Sequence, residues 1–298
     1  MTLFAHIPRP KLSALIVASL LLSGAHCASE SSDADYLVEQ ADAYRGGILW
    51  DRWWQVDGVL EPLEPGSTGD AEDRPPLPSE VSSILVDSPL YVQNPVANQR
   101  RGPDTWRCAE CHGWDYRGKH GEYAAGTHQT GFGGVWGARS ASAEQLFDAV
   151  GHGGQIEHGA TGHAFAKVLS ERDIADLVKF LREGLVPRSD FVQAQGTARG
   201  DVERGLTRFS ESCVSCHGED GKKLNLAEDQ TQARYLSDVA LDEPGRFIHK
   251  ARFGQPNNSM PSADAQRLLL GDLADLLAYV QALAQVQARE SSDSEAYE

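Results

Sequence analysis

Two short motifs place a pair of cysteines directly before a histidine and a glycine: Cys-Ala-Glu-Cys-His-Gly at 108–113 and Cys-Val-Ser-Cys-His-Gly at 213–218. In this spacing two thiols can add across the vinyl groups of one haem, and the adjacent imidazole can bind its iron. A redox dithiol or a zinc site is the alternative for a bare cysteine pair, but it does not account for the histidine after both pairs. The motifs therefore predict two covalent haem c groups, each with its iron. The predicted attachment and ligand residues are Cys108, Cys111, His112, Cys213, Cys216 and His217.

The two motifs belong to an internal repeat. A segment of pattern Asp-(Ile/Leu)-Ala-Asp-Leu begins at Asp173, 62 residues after Cys111, and recurs at Asp272, 56 residues after Cys216. In both copies the apolar residues follow the spacing of one helical face. Two features repeated at similar separations predict a duplicated helical domain.

Local signals predict where the flanking helices begin and end. Ser170 is a predicted N-cap for the helix after the first motif, and Gly184 is its predicted end. Before the second motif, Val202, Leu206 and Phe209 lie on one face of a predicted helix. The coarse architecture is therefore a helix on each side of each haem motif.

The repeat divides the chain into two tandem domains of an all-α fold. Gly205 lies 8 residues before Cys213, whereas the equivalent Gly46 lies 62 residues before Cys108. The extra stretch is rich in proline and acidic residues and is interpreted as a long surface loop. The C-terminal tail is rich in Ser, Asp and Glu and is predicted to be disordered. The predicted segments are a first domain at 34–186 with a loop insertion at 57–107, a linker at 187–199, a second domain at 200–288 and a tail at 289–298.

The N-terminal segment has the composition of a secretory signal peptide. Two basic residues precede an apolar run at 12–22, and small residues follow it. That run is too short to span a bilayer comfortably. We therefore expect a signal peptide at 1–27, export to the periplasm and no transmembrane segment in the mature chain. Cys27 is the fifth cysteine, and His26 before it, where a small residue would be needed, disfavours a lipid anchor there.

The charge of the chain limits its partners. The formal net charge is −16, and removal of a signal peptide with two basic and no acidic residues leaves −16 − 2 = −18. Such acidity argues against nucleic acid or an anionic membrane as a partner. It suits redox partner proteins with a basic docking surface.

Together these features resemble class I cytochrome c, twice over. The residues that carry the resemblance are the second Cys-x-x-Cys-His motif, Gly205 with Phe209, Met260-Pro261 and Tyr279. In that family the glycine and aromatic of the upstream helix cross the terminal helix near its own aromatic. The resemblance therefore implies contact between Phe209 and Tyr279, and between Trp50 and Phe180. It covers most of residues 40–285 outside the loop insertion.

The resemblance also implies sixth ligands for the irons. Met260, the only methionine of the mature chain, precedes a proline and lies where the family places its methionine ligand, although a core methionine is usually packing. The first domain has no methionine, and counting from the equivalent residues places its ligand loop at 155–161. His152, His158 and His163 lie in or beside that loop. We predict His163 as the ligand, with His158 or an open iron as the alternatives.

Other residues of the first domain have simpler interpretations. All six tryptophans fall in or beside it, and we expect them to form the apolar wall that a haem needs. His120 and His128 follow the first motif in a glycine-rich stretch and are expected to be surface residues.

The predicted function is electron transfer through one bis-His and one His-Met haem. Unequal ligands would set the haem of His112 lower in potential than that of His217, so electrons would enter at the first and leave at the second. One alternative is a dihaem peroxidase, whose N-terminal haem opens to peroxide. A dihaem thiosulfate dehydrogenase would need a cysteine on one iron, and only Cys27 is spare. A further alternative is that the protein is the cytochrome subunit of a periplasmic dehydrogenase. Its loop at 57–107 would then dock the catalytic subunit.

Overall fold

The computed structural model describes residues 32–56, 87–88, 90–91, 100–126, 128–156, 159–160, 162–227, 232–256 and 259–295. The predicted signal peptide and Cys27 lie outside these residues. The fold is all-α, as predicted, and Ser32–Glu298 group as one compact unit. The α-helices are α1 (Asp33–Gln40), α2 (Ala43–Arg52), α3 (Cys108–His112), α4 (Ala143–Gly151), α5 (Glu171–Lys179), α6 (Val202–Ser212), α7 (Val214–His217), α8 (Leu236–Asp242), α9 (Pro244–Phe253) and α10 (Leu270–Glu295). Two-residue strands, β1 (Gln155–Ile156) and β2 (Gly159–Ala160), pair antiparallel. No helix in the described part of the chain has the length and apolar character needed to cross a bilayer.

In the first half, α2 crosses α5 at a glycine. A Cβ atom on Gly46 would lie 2.0 Å from the carbonyl oxygen of Asp176, so only glycine lets the two backbones come this close. Arg45 forms an ion pair with the Asp176 carboxylate at 2.6 Å. The rings of Trp50 and Phe180 pack with their centroids 5.8 Å apart, which confirms the contact predicted for the first domain.

The second half repeats this crossing between α6 and α10. A Cβ atom on Gly205 would lie 2.0 Å from the carbonyl oxygen of Asp275, and Arg204 pairs with the Asp275 carboxylate at 2.7 Å. The rings of Phe209 and Tyr279 lie 5.2 Å apart, as predicted. Each half therefore has the same helix crossing and the same ion pair beside it.

The predicted ends of α5 are confirmed. The Ser170 hydroxyl accepts a hydrogen bond from the Asp173 amide at 3.2 Å, and the Asp173 carboxylate accepts one from the Ser170 amide at 3.0 Å. The helix closes with a π-helical turn at Phe180–Gly184. The capping box at Ser170 and Asp173 accounts for the position of the first end.

Two helices differ from expectation. Helix α10 runs to Glu295, so the tail expected to be disordered is helical to that residue, because an established helix gains one hydrogen bond for each residue added. On α6 only Phe209 of the expected face is buried, whereas Val202 and Leu206 are 45% and 47% exposed. Their exposure arises because α6 turns its Gly205 side towards α10.

The segment predicted as a linker, 187–199, is folded onto the second half. Arg188–Asp190 form a 3-10 turn, and Phe191 and Val192 are buried in the second apolar core. Val192 also forms an isolated antiparallel bridge with Ala198. The connection is therefore part of the second core.

The described part of the insertion at 57–107 also packs inward, against the expectation of a surface loop. The Ser88 amide donates to the Thr105 hydroxyl at 2.7 Å, and the Gly102 amide donates to the Asp87 carboxylate at 2.6 Å. These bonds satisfy polar groups that would otherwise prevent burial.

Helix α9, from the second half, completes the core of the first. Its last residue, Phe253, belongs to the first apolar cluster and lies 5.7 Å from the Phe180 ring and 5.2 Å from the Tyr44 ring. A Cβ atom on Gly47 would lie 2.4 Å from the Phe253 ring. Helix α2 therefore uses adjacent glycines for different neighbours, Gly46 for α5 and Gly47 for α9.

Polar contacts also hold α9 against the first half. Lys250 forms an ion pair with Asp51, and Arg252 donates to the Gly184 carbonyl at 2.6 Å. Burial opposes ionisation of Asp51, but the charges of Lys250 and Arg107 outweigh it and lower the Asp51 pKa to about 2. The Asp51 carboxylate is therefore ionised at neutral pH, and its pairing with Lys250 helps to hold α9 against the first half.

His249 lies buried in the same contact. It is 2% exposed, its Nδ1 is 3.3 Å from the Tyr116 hydroxyl, and its ring centroid is 5.0 Å from that of Trp114. Burial lowers the pKa of His249 to about 3, although the nearby Asp51 carboxylate acts in the opposite direction. The imidazole is therefore neutral in the folded protein at neutral pH.

We expect His249 to make the folded protein less stable as the pH falls from about 6.5 towards 3. Unfolding takes up a proton between those values, because the unfolded chain binds it first, so the free energy of unfolding decreases with decreasing pH by up to about 4 kcal/mol. Urea denaturation at pH 7 and pH 4 should show a smaller loss in His249→Gln than in the wild type. An equal loss in both proteins would contradict the assignment to this residue.

Candidate haem-binding sites

Each predicted attachment motif forms a short helix that ends at a glycine. Helix α3 ends at Gly113, with φ 80°, and α7 ends at Gly218, with φ 81°. Both backbones are in the left-handed region, where glycine is strongly favoured. The glycine after each Cys-x-x-Cys-His sequence therefore has a structural cause, which is to end the helix immediately after the histidine.

None of the four motif cysteines forms a disulfide in the described part of the chain. Burial raises the pKa of Cys108 to about 12 and that of Cys213 to about 11, and it raises the pKa of Cys111 as well. Zinc sites and redox dithiols both need the thiolate. Addition of both thiols to one haem, with the adjacent histidine on its iron, is the chemistry that the spacing of the motif favours.

His112 is held by a backbone carbonyl on the glycine-rich segment that follows the motif. Its Nδ1 lies 2.7 Å from the carbonyl oxygen of Gly133 and donates to it. Burial lowers the His112 pKa to about 4, only partly offset by this hydrogen bond. The imidazole is therefore neutral, and Nε2 is the nitrogen left for a metal, an arrangement usual among metal-bound histidines.

His163 faces His112 from the other side. The two ring centroids are 5.9 Å apart, with the ring planes at 75°. His163 Nδ1 lies 3.2 Å from the Ala149 carbonyl oxygen, at the inner side of α4, and burial lowers the pKa of His163. Both imidazoles therefore use Nδ1 on a backbone carbonyl.

This pair fits one metal ion between its rings. Two imidazoles bonded to the same metal at about 2 Å each have centroids roughly 6 Å apart, and His112 and His163 are 5.9 Å apart. His152 is exposed at the end of α4, and His158 lies outside the described residues. The choice of His163 as ligand stays a prediction, and the geometry supports it.

The tryptophans pack around this pair. The Trp50 ring lies 6.0 Å from His112 and 5.6 Å from Tyr116. Trp53 and Trp114 are also buried, each 2% exposed. The remaining three are partly buried against the same cluster: Trp54, Trp106 and Trp136. All six therefore lie in the first core, and Trp114 also faces α9 through His249.

The second site lacks the carbonyl partner of the first. His217 Nδ1 is buried and has no hydrogen-bond partner among the described residues, and burial lowers the His217 pKa. A buried ring nitrogen without a partner costs free energy. His217 therefore differs from His112, whose Nδ1 is held by the Gly133 carbonyl.

Met260 is half-buried in a loop that folds back on the end of α9. Gly254 ends that helix with φ 74°, and a Cβ atom on it would lie 2.7 Å from the Met260 carbonyl oxygen. The methionine is therefore held close to the helix that enters the first half. Its role as ligand opposite His217 remains a prediction.

The expectation that His128 lies on the surface is wrong. It is 8% exposed, stacks on Tyr123 at 5.0 Å, and lies 3.2 Å from the Glu110 carboxylate and 3.5 Å from that of Glu243. Burial of the ring costs little free energy because each of its nitrogens lies close to a carboxylate. His120 is exposed, as expected.

Sequence reasoning missed the backbone partners of the histidines. The carbonyl groups of Gly133 and Ala149 orient His112 and His163, but a carbonyl group is present at every residue and leaves no signal in the sequence. The glycine content of 131–134 was the one available hint, because glycine permits close backbone approach.

Comparison with known families accounts for this architecture. The family model described as Cytochrome c matches residues 100–184, and the model described as cytochrome C oxidase, cbb3-type, subunit III matches residues 200–280. The chain contains two cytochrome c-type domains. These domains bind haem c with its iron and transfer electrons to and from redox partners.

One curated relative of these cytochrome domains is the cbb3-type cytochrome c oxidase subunit FixP of Azorhizobium caulinodans. It is 28% identical over 125 residues, which are 39% of this chain and 36% of the relative. The match thus spans about a third of that protein. No solved structure matches the chain.

Proposed function

We propose that this protein is a periplasmic dihaem cytochrome that passes single electrons between redox partner proteins. The observation that carries the proposal is the pair of facing imidazoles, His112 and His163, at 5.9 Å. A haem, when bound, supplies an iron that gains or loses one electron. The side chains of the protein determine which ligands that iron has and which molecules can reach it.

In the first domain, Cys108 and Cys111 would form the thioether bonds, and His112 and His163 would close both axial positions. In the second, Cys213 and Cys216 would attach the cofactor. His217 and Met260 would then be the axial pair. With both positions taken by side chains at each site, no position is left for a substrate, and electron transfer is the chemistry that remains.

Unequal ligands give the transfer a direction. A methionine ligand raises the reduction potential relative to two histidines, so the His112 site would be the donor and the His217 site the acceptor within the molecule. The acidic net charge supports an electron acceptor with a basic docking surface. The signal-peptide composition of 1–27 supports a periplasmic location.

Near-infrared magnetic circular dichroism of the oxidised and half-reduced protein tests this proposal. We expect one bis-His and one His-Met low-spin signal, with the second site reduced first. A high-spin signal that appears on half-reduction, together with a response to peroxide, would instead identify a peroxidase. First reduction of the bis-His site would reverse the proposed direction.

The comparisons favour a second candidate, an electron-delivering subunit of a terminal oxidase. The matches to a cbb3-type oxidase subunit model over 200–280 and to FixP are its specific support. Affinity purification of the full chain from its source membranes separates the two. A stoichiometric oxidase that loses oxygen reduction when the chain is removed would favour the subunit, whereas a protein recovered alone and reoxidised by several acceptors would favour the carrier.

A further inference from the structure

The charge of this acidic protein is locally reversed after the first haem motif. Residues 116–121 and 123–143 contain three basic side chains and no aspartate or glutamate, and the Glu122 side chain between them is largely buried and paired with Arg188 at 3.0 Å. The net charge of the whole chain is −16, so these segments differ sharply from their surroundings. The three basic residues are Arg117, Lys119 and Arg139.

The fold brings these segments into one surface. Gly118 and Gly133 form an antiparallel bridge, and the Trp136 amide donates to the Tyr116 carbonyl at 3.1 Å. The backbone hydrogen bonds therefore place the two segments side by side. Arg117 and Lys119 on the first segment and Arg139 on the second lie on the same surface.

Trp136 lies between two of the guanidinium groups. The Arg139 guanidinium carbon is 4.6 Å from its ring centroid, and that of Arg117 is 5.7 Å away. Arg117, Lys119 and Arg139 are exposed and Trp136 is half-buried, and the three basic groups have no ion-pair partner among the described residues. We call Arg117, Lys119, Trp136 and Arg139 the basic patch.

The nearest carboxylate does not neutralise the basic patch at its surface. Asp115 is 3% exposed and accepts hydrogen bonds from the Arg117 amide at 3.1 Å and the Glu122 amide at 2.9 Å. It lies beneath the patch, where its charge is stabilised by backbone groups. The exposed Glu144 follows directly after these segments, so the exposed charged groups of 116–144 are three basic side chains and one carboxylate.

The patch adjoins the first haem site directly. Gly133, whose carbonyl holds His112 Nδ1 at 2.7 Å, is the same residue that bridges to Gly118. A protein seated on the patch would contact the segment that orients the proximal histidine. Arginine and tryptophan are also the residue types that most often dominate binding energy at interfaces.

We propose that the basic patch is the docking surface for an acidic redox protein that donates electrons to the first haem. The inference rests on the proposed carrier function and adds to it that the donor and the acceptor have opposite charge. An acidic donor would dock here, and a basic acceptor would dock elsewhere on the acidic remainder. Each partner would be repelled from the site of the other, which keeps the two exchanges apart.

A small, acidic plant-type [2Fe–2S] ferredoxin is a suitable probe, because its low reduction potential lets it reduce a c-type haem. Stopped-flow reduction of the oxidised holoprotein is measured between low and high salt. We expect Arg117→Gln/Arg139→Gln to lower the second-order rate constant about fivefold at low salt and to flatten its salt dependence. The matched control, Arg172→Gln/Lys222→Gln, removes two exposed basic residues elsewhere and should leave the rate unchanged.

Calorimetric titration of the same proteins, with both partners oxidised, gives a readout that does not depend on electron flow. The dissociation constant should rise about fivefold in Arg117→Gln/Arg139→Gln, and about tenfold in Trp136→Ala if the indole is a central contact. An equal loss in the control variant, or binding that is insensitive to salt, would overturn the docking surface.

Chemical reduction separates this proposal from the proposed function. Dithionite needs no protein docking, so uptake of one electron at each haem in the wild type and the variants would support the carrier irrespective of the ferredoxin result. Normal uptake combined with unchanged ferredoxin binding in Arg117→Gln/Arg139→Gln would refute the docking surface alone. Failure of the second haem to accept an electron would refute the carrier.

Discussion

Replacement of His163 with alanine is expected to remove the bis-His signal of the first haem and leave a high-spin or water-ligated iron. The His163 ring centroid lies 5.9 Å from that of His112, and its Nδ1 is held by the Ala149 carbonyl, so its loss removes the imidazole proposed as the second ligand of that iron. Magnetic circular dichroism in the near infrared distinguishes these states. The signal of the second haem should not change, because its ligands come from other elements.

Two control variants make this result specific. His158→Ala tests the alternative ligand, and His152→Ala tests an exposed histidine of the same region; both should keep the bis-His signal. His163→Met should keep the iron low-spin while it raises the first reduction potential by on the order of 0.1 V. Retention of bis-His ligation in His163→Ala, with its loss in His158→Ala, would assign the ligand to His158.

Substitution of Gly205 with alanine should destabilise the second domain by about 3 kcal/mol. The new Cβ would lie 2.0 Å from the Asp275 carbonyl oxygen and 2.7 Å from the Tyr279 Cβ. Neither is the far end of a flexible side chain, so α6 and α10 would have to separate. Urea denaturation followed by circular dichroism measures the free energy of unfolding.

Gly271→Ala is the matched control, because it lies in the first turn of α10 with nothing within 4 Å of the added Cβ. There alanine should stabilise the protein by roughly 0.5–1 kcal/mol, since glycine loses more conformational freedom in a helix. Similar stabilities for the two variants would mean that the crossing at Gly205 is looser than the structure has it.

The features predicted correctly are those that depend on short stretches of sequence. The resemblance to class I cytochrome c, carried by a glycine four residues before an aromatic, implied both helix crossings, at Gly46 with Trp50 and at Gly205 with Phe209. The structure supplies the reason, since close backbone approach needs a residue without a side chain. Ser170 predicted a helix start through a hydrogen bond to a residue three positions away. Such signals are local, and the chain repeats them in both halves.

The features that were missed depend on contacts between the halves. His128 was taken for a surface residue because its glycine-rich surroundings carry no trace of Glu243, which lies 115 residues later. The pairing of Lys250 with Asp51 spans a still longer separation. Periodicity within one segment describes which face is apolar but not which distant element covers it.

The entry of α9 into the first core has a consequence for biogenesis. The first domain is synthesised before Phe253 and Lys250, so its aromatic face beside Gly47 stays uncovered until the second domain has been made. Such late, long-range closure slows folding and exposes apolar surface meanwhile. A first domain cut off at the duplication boundary would keep that open face permanently. The first core is therefore complete only when α9 of the second half is in place.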